Sequence, residues 1–170
     1  MKDSVKSVIV LLAICLVASA ILAAVNSFKA PLIEKSENEK VEKSLLVVMP
    51  DGKNFKKIET APDGLADTIK EIYSEDGGGY VFKLVTTGYS AGLTIMCGID
   101  SNGKITGATC VSSGETLGNE KTYGELFLGA DKGTVDSVDS VSGATKTTAN
   151  YKKALKDALS AFDILKGAAK

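Results

Sequence analysis

The fold is decided by residues 93–112, whose sequence is LTIMCGIDSNGKITGATCVS. From Leu93 to Ile99 every second residue is Leu, Ile or Cys, an alternation typical of a strand with one buried face. The following four residues, Asp100–Gly103, are a strong signal for a hairpin turn. Residues 104–112 are therefore predicted to return as the second strand of a β-hairpin.

Two further strands are predicted before this hairpin, at Ile69–Tyr73 and Tyr80–Thr86, with a glycine-rich loop between them. Four successive strands without an intervening helix predict an antiparallel sheet. The last part of the chain carries one apolar stripe at helical spacing. The stripe consists of Tyr151, Ala154, Leu155, Ala158, Leu159, Phe162 and Leu165. A helix packed on an antiparallel sheet predicts an α+β fold.

One N-terminal transmembrane helix is predicted to precede this fold. The 18 residues from Val8 to Val25 carry no charge and would form a helix of about 27 Å, close to the thickness of a bilayer core. Lys2 and Lys6 precede the run, which predicts a cytoplasmic amino terminus and an extracytoplasmic domain in a single-pass protein of the cell membrane. The alternative is a cleaved signal peptide, because residues 18–20 resemble a cleavage site.

The chain is thus predicted to have three parts. Residues 1–28 form a cytoplasmic stub and the transmembrane anchor, and residues 69–170 form the extracytoplasmic domain. Residues 29–68 are interpreted as a helical stalk and a polar connector. Pro31 is suited to the first turn of a helix, and Met49–Gly52 ends the pattern with turn residues.

Composition excludes several kinds of chemistry. All 20 basic residues are lysine, histidine is absent, and the net charge is −1, so neither a nucleic-acid surface nor a Ser-His-Asp triad is expected. No metal site is predicted, because Cys15, Cys97 and Cys110 show no metal-ligand spacing. Cys97 and Cys110 lie on neighbouring predicted strands, either as free thiols or as a disulfide.

The segment DSVSGATKT, residues 139–147, lies directly before the C-terminal helical stripe. Gly143 and Ala144 are small and leave the Thr145 hydroxyl accessible at the start of a helix, where unpaired N–H groups favour an anion. Two interpretations follow from the residues alone. Thr145 caps the helix, or its hydroxyl is the attachment point of an anionic group.

The string Asp-x-x-Ser-Gly-Ala-Thr resembles the flavinylation motif of the FMN-binding domain family. This resemblance implies that FMN is joined covalently through its phosphate to Thr145. Lys146 is then expected to add a cation, and Ser142 and Thr147 to donate hydroxyl groups or to cap the helix. Asp139 is expected to hold the turn or to be recognised by the flavin transferase that attaches the cofactor.

The resemblance extends over roughly residues 80–160. It includes Gly88–Gly92, the hairpin turn, and the pair Glu115-Thr116. Tyr89 is a candidate to stack on the isoalloxazine ring, or else a residue of the core or rim. Glu115 and Thr116 lie beside the flavin, pack on the motif, or only shape a turn. The chain departs from the family pattern after this pair, since Leu117 stands where the family usually has proline.

The small size and single predicted anchor are similar to those of the G-type subunit of the Rnf ion-translocating ferredoxin:NAD oxidoreductases. They are less closely similar to those of the C-type subunit of the sodium-translocating NADH:quinone reductases. The likeness implies an electron-transfer subunit whose partners are other redox subunits, a flavin transferase and membrane lipid. Two alternatives remain open, a free-standing anchored flavin carrier and an anchored scaffold module without flavin.

Overall fold

The computed structural model describes residues 6, 8–19, 40–60 and 62–168. Residues 8–19 are helical and their side chains are exposed. Within the described ranges, no helix is both long enough and apolar enough to cross a membrane. The predicted anchor continues to Val25, and its second part, like the predicted start of the stalk, lies outside the described residues.

The unit from Val41 to Lys170 is built on a five-stranded antiparallel sheet. Its strands are β1 (Lys56–Lys57), β2 (Ile69–Ser74), β3 (Tyr80–Thr87), β4 (Ala91–Ile99) and β5 (Ile105–Ser112), in that order across the sheet. The predicted α+β class and antiparallel sheet are confirmed. Strand β1 lies in the predicted polar connector and was not predicted, because two lysines carry no alternating pattern.

The predicted hairpin turn joins β4 to β5. The Asp100 Oδ1 atom accepts hydrogen bonds from the backbone N–H groups of Asn102 and Lys104, both at 2.9 Å. Gly103 takes a positive φ of 81°, which glycine adopts without steric cost. Across the hairpin Cys97 lies opposite Ala108, and both Cys97 and Cys110 are free.

One face of the sheet is covered by the C-terminal helix, Thr145–Ala168. All seven residues of the predicted stripe are buried there, against strand residues such as Phe82, Leu84 and Ile95. Burial of each large apolar side chain stabilises a fold by about 1.5–3 kcal/mol. The layer is completed by a short α-helix (Glu120–Tyr123) and two 3₁₀ helices (Gly124–Phe127 and Val135–Ser137).

The opposite face is covered by the helical residues 41–48. Val41, Leu45, Val48 and Met49 are buried against the strand residues Val81 and Met96. The sequence pattern had placed these residues in a stalk outside the domain. The structure instead includes them in the compact unit, because their apolar side chains cover the second apolar face of the sheet.

The end of this helical segment rests on two glycines that pair across β4 and β5, Gly98 and Gly107. A Cβ atom on Gly98 would lie 2.5 Å from the Val48 carbonyl oxygen, and one on Gly107 would lie 2.9 Å from Val48 Cα. The Thr106 hydroxyl donates a hydrogen bond of 2.6 Å to the same carbonyl. The segment is therefore held on the sheet through its backbone as well as its side chains.

Candidate functional site

The turn before the C-terminal helix places Thr145 at the first helical position. The Val141 carbonyl accepts a hydrogen bond from the Ala144 N–H at 3.1 Å, and Gly143 has a positive φ of 81°. The Ala144 carbonyl accepts the Thr148 N–H at 2.9 Å, which is the first bond of the helix. The residue at the cap position is thus Ala144, and the Thr145 side chain is exposed.

The helix start is a favourable place for an anion. The first N–H groups of an α-helix have no acceptor within the helix, and the helix dipole stabilises negative charge there by about 0.3–1 kcal/mol. Lys146 is exposed in the same turn and adds a positive charge. An anionic group attached at Thr145 would therefore meet backbone donors and one ammonium group.

A cleft of about 270 Å³ opens beside this turn. It is lined by Tyr89, Thr116, Leu117, Gly143, Ala144, Lys146 and Thr147. Three separate parts of the chain meet here, namely the β3–β4 turn, the loop after β5 and the start of the helix. Tyr89 and Leu117 are 75% and 63% exposed, so the cleft carries two uncovered apolar side chains.

Glu115 connects two walls of the cleft. Its Oε2 atom accepts a hydrogen bond from Thr147 Oγ1 at 2.6 Å, and its Oε1 atom accepts the Ser90 N–H at 3.0 Å. Thr147 Oγ1 in turn accepts the Tyr89 N–H at 3.3 Å. We call these three hydrogen bonds the Glu115 clamp. The clamp holds the β3–β4 turn, and with it Tyr89, against the first turn of the helix.

The clamp also explains why residue 88 is glycine. A Cβ atom there would lie 2.3 Å from Glu115 Oε1, so any larger residue would displace the carboxylate. Partial burial opposes ionisation of Glu115, but the hydrogen bonds from Thr147 and Ser90, the nearby Tyr89 N–H and the Lys146 ammonium outweigh it and hold the pKa of Glu115 below its ordinary value. The carboxylate is therefore ionised at neutral pH.

The Thr147 hydroxyl makes a contact that the sequence did not indicate. This hydroxyl was expected to bind the anion or to cap the helix. In the structure Thr147 is only 4% exposed, and its hydroxyl binds the Glu115 carboxylate. The signal for this partnership was weak, because Glu115 and Thr147 are 32 residues apart and only the fold brings them together.

The segment that leads into the motif is held through its carbonyl groups. The Lys152 ammonium donates hydrogen bonds to the carbonyl of Asp136, at 3.2 Å, and to that of Val138. The Tyr123 hydroxyl donates to the Asp139 carbonyl at 3.1 Å. The Asp139 and Ser142 side chains are exposed, and in the described part of the chain neither makes a hydrogen bond. The turn is thus held without the Asp139 carboxylate.

This part of the molecule is similar to a known family. Residues 88–160 match the family model of the FMN-binding domain. The match contains the Glu115 clamp, the cleft and the motif, and it supports the FMN-binding family and a redox role as a flavoprotein. The comparison with curated proteins found no match.

The residues of the matched region fit FMN. Its phosphate is an anion suited to the helix start, and its flat ring is suited to the apolar walls that Tyr89 and Leu117 provide. Leu117 was not among the predicted site residues, although it directly follows Glu115-Thr116. Among the described residues, no group of three or more carboxylates or thiols has the arrangement of a metal site.

Proposed function

We propose that this chain is an electron-transfer flavoprotein that carries FMN covalently on Thr145. The observation that carries the proposal is the position of the Thr145 hydroxyl. Thr145 is an exposed residue at the first helical position, and its two neighbours, Ala144 and Lys146, line the cleft. The match to the FMN-binding domain supports flavin as the group, and the resemblance of the motif supports Thr145 as the point of attachment.

The open cleft favours a covalent bond over simple binding. Its volume is below the range of about 300–1,000 Å³ that is usual for small-molecule sites, so the cleft covers only part of a molecule as large as FMN. Lys146 is the single cationic residue among those that line it. A phosphoester keeps the flavin in place where few contacts would hold it.

Attachment requires an activated phosphate, which a flavin dinucleotide provides. The pyrophosphate bond of the donor breaks, Thr145 Oγ1 bonds to the phosphorus of the FMN part, and the hydroxyl proton leaves with the nucleoside monophosphate. The diester keeps one negative charge, which the helix start and Lys146 stabilise. The bound flavin supplies the ability to accept and release electrons. Tyr89, Thr116 and Leu117 orient it and exclude water from one side.

We further propose that the chain is the G-type subunit of an Rnf ion-translocating ferredoxin:NAD⁺ oxidoreductase. The chain has no histidine and three cysteines without metal-ligand spacing, so other subunits must supply the centres that exchange electrons with the flavin. The uncharged run Val8–Val25 supports a single anchor in the cell membrane. In this arrangement the amino terminus is cytoplasmic and the flavin domain is extracytoplasmic.

The attachment is tested with Thr145→Val in the full chain, co-expressed with a flavin transferase. We expect the wild-type mass to exceed the polypeptide mass by FMN less one water, and the variant to have the bare mass. Thr122→Val is the matched control, because it changes an exposed helical threonine that does not line the cleft. Thr145→Ser, which retains a hydroxyl, should still be labelled. Flavin fluorescence of Thr145→Val after denaturing electrophoresis would contradict the proposal.

Membership of an Rnf complex is tested by purifying the tagged chain from its native membrane in mild detergent. We expect iron–sulfur and flavin-containing subunits to co-purify. Membranes with Thr145→Val should lose ferredoxin-dependent NAD⁺ reduction, and those with Thr122→Val should keep it. A flavinylated chain that purifies alone, with NAD⁺ reduction intact in Thr145→Val membranes, would instead identify a free-standing carrier.

A further inference from the structure

Two side chains outside the attachment motif hold its first residue, Asp139, and the residue directly before it, Val138. Residues 138–141 have no helical or strand structure, and Asp139 and Ser140 are exposed. The Tyr123 hydroxyl binds the Asp139 carbonyl at 3.1 Å, and the Lys152 ammonium binds the Val138 carbonyl directly before it. These two bonds fix the backbone position and the chain direction of the segment directly before the turn at Gly143.

The Tyr123 ring is itself firmly positioned. It is 2% exposed and makes edge-to-face contacts with Phe127 and Tyr151, with ring centroids 5.2 and 5.5 Å apart. Such contacts leave the ring little freedom, because each prefers a defined geometry. The hydroxyl is the one polar atom of this side chain, and it points out of the aromatic cluster to the motif segment.

Tyr151 provides an internal comparison. It belongs to the same cluster and is fully buried, but its hydroxyl has no hydrogen-bond partner among the described residues. Both tyrosines therefore contribute rings to the core, and only Tyr123 makes a polar contact with the motif segment. Removing each hydroxyl separates the polar contact from ring packing.

We propose that the Tyr123 hydroxyl, together with Lys152, is a positioning device that presents the Asp139–Thr145 segment to the enzyme that attaches the flavin. This inference rests on the proposed attachment at Thr145. An exposed segment without regular structure must be ordered before an enzyme can bind it, and the two carbonyl contacts provide that order in advance. Tyr123 and Lys152 act through the backbone and touch neither the reacting hydroxyl nor the cleft.

The test is the rate of flavin attachment to the purified full chain in detergent, with a flavin transferase and a flavin dinucleotide. Tyr123→Phe should lower kcat/KM for the chain as a substrate by about fivefold, the factor that corresponds to one hydrogen bond of about 1 kcal/mol. The change should lie in KM, and labelling should reach the wild-type endpoint. Tyr151→Phe, the matched control, should remain within about twofold of wild type.

Lys152→Met provides a second measurement that is independent of the aromatic cluster. It removes the contact with the Val138 carbonyl, and it should raise KM in the same way. Lys153→Met changes an exposed lysine of the same helix and is its control. Thermal unfolding of all four variants identifies any general loss of structure, and rates are compared well below the lowest Tm.

The outcomes separate the two proposals. A wild-type chain that takes up no flavin, or a Thr145→Val chain that does, overturns the proposed attachment. If the wild-type chain is labelled, and Tyr123→Phe and Lys152→Met are labelled at the wild-type rate, only the positioning inference is overturned. Equal slowing in Tyr123→Phe and Tyr151→Phe also overturns the inference, because the effect would then come from the aromatic cluster and not from the hydrogen bond to Asp139.

Discussion

The two ends of the C-terminal helix are held in different ways. Its first turn is held by the Glu115 clamp, and Thr145 and Lys146 remain exposed. From Tyr151 to Leu165 the helix is held by an apolar stripe that is at least nine-tenths buried against the sheet. The difference indicates that most of the stabilising burial lies in the later turns of the helix, whereas the proposed chemistry lies in its first turn.

Typical energies give the expected order of effects. A large buried apolar side chain contributes about 1.5–3 kcal/mol, whereas a single hydrogen bond contributes about 0.5–1.5 kcal/mol net. Substitutions in the stripe should therefore reduce the free energy of unfolding most. Substitutions in the clamp should reduce it less and should act on the cleft.

The largest effect is expected for Leu155→Ala in the middle of the stripe. Leu155 is fully buried, and the cavity left by its truncation should lower the free energy of unfolding by about 2–5 kcal/mol. Denaturant unfolding of the full chain measures this loss. Leu126→Ala, at a residue that is 59% exposed, should change it by less than about 0.5 kcal/mol. Similar losses for both would refute the assignment of stability to the stripe.

An intermediate effect is expected for Gly88→Ala at the clamp. The added Cβ atom would displace the Glu115 carboxylate, and the loss of its hydrogen bonds with Ser90 and Thr147 should cost about 1–3 kcal/mol. Flavin attachment should also slow, because the β3–β4 turn then loses its hold on the helix start. Gly133→Ala is the control, since its Cβ would lie 3.4 Å from the nearest atom. Unchanged stability and unchanged attachment in Gly88→Ala would show that the clamp is not needed.

The smallest effect is expected for Glu115→Gln, and it should depend on pH. The folded pKa of Glu115 is below the ordinary value of 4.5, so its charge contributes stability above that pH. This contribution is lost as the pH falls through the lower folded pKa. The variant should therefore be less stable than wild type by about 1 kcal/mol at pH 7, and the difference should shrink in more acidic solution.

Unfolding curves between pH 7 and about pH 3 measure this change. Glu125→Gln, at an exposed residue of the 3₁₀ helix, is the control and should show no such trend. A difference between wild type and Glu115→Gln that stays constant across the range would mean that ionisation of Glu115 does not stabilise the clamp.

Short-range patterns predicted most of the fold. The hairpin of β4 and β5 and the C-terminal helix follow from periods of two and 3.6 residues and from turn residues that act on their neighbours. Strand β1 and the packing of residues 41–48 were not predicted. Their structure depends on contacts with strands that are distant in the sequence. The two glycines that contact Val48 show no local sequence pattern that would indicate this contact.

The sequence predicted which residues form the candidate site better than it predicted the contacts among them. The resemblance of the motif indicated Thr145 and its neighbours. In the structure one cleft is lined by Tyr89, Thr116 and four motif residues, namely Gly143, Ala144, Lys146 and Thr147. Packing of Glu115 on the motif was one of the alternatives, but its bond to Thr147 was not predicted, because the two residues are 32 apart and only the fold brings them together. The hydrogen bond from Tyr123 to the Asp139 carbonyl joins a core aromatic residue to the backbone of an exposed residue. No sequence pattern indicates a contact of this kind.

The packing of Val48 against Gly98 and Gly107 determines how far this protein can be truncated from its N-terminal side. A fragment that starts at Val41 keeps both sides of its sheet covered. One that starts at residue 69, where the sequence pattern sets the domain limit, would lack β1 as well and would expose Val81 and Met96 to solvent. Such a fragment should aggregate during preparation, whereas the longer one should remain monodisperse in gel filtration.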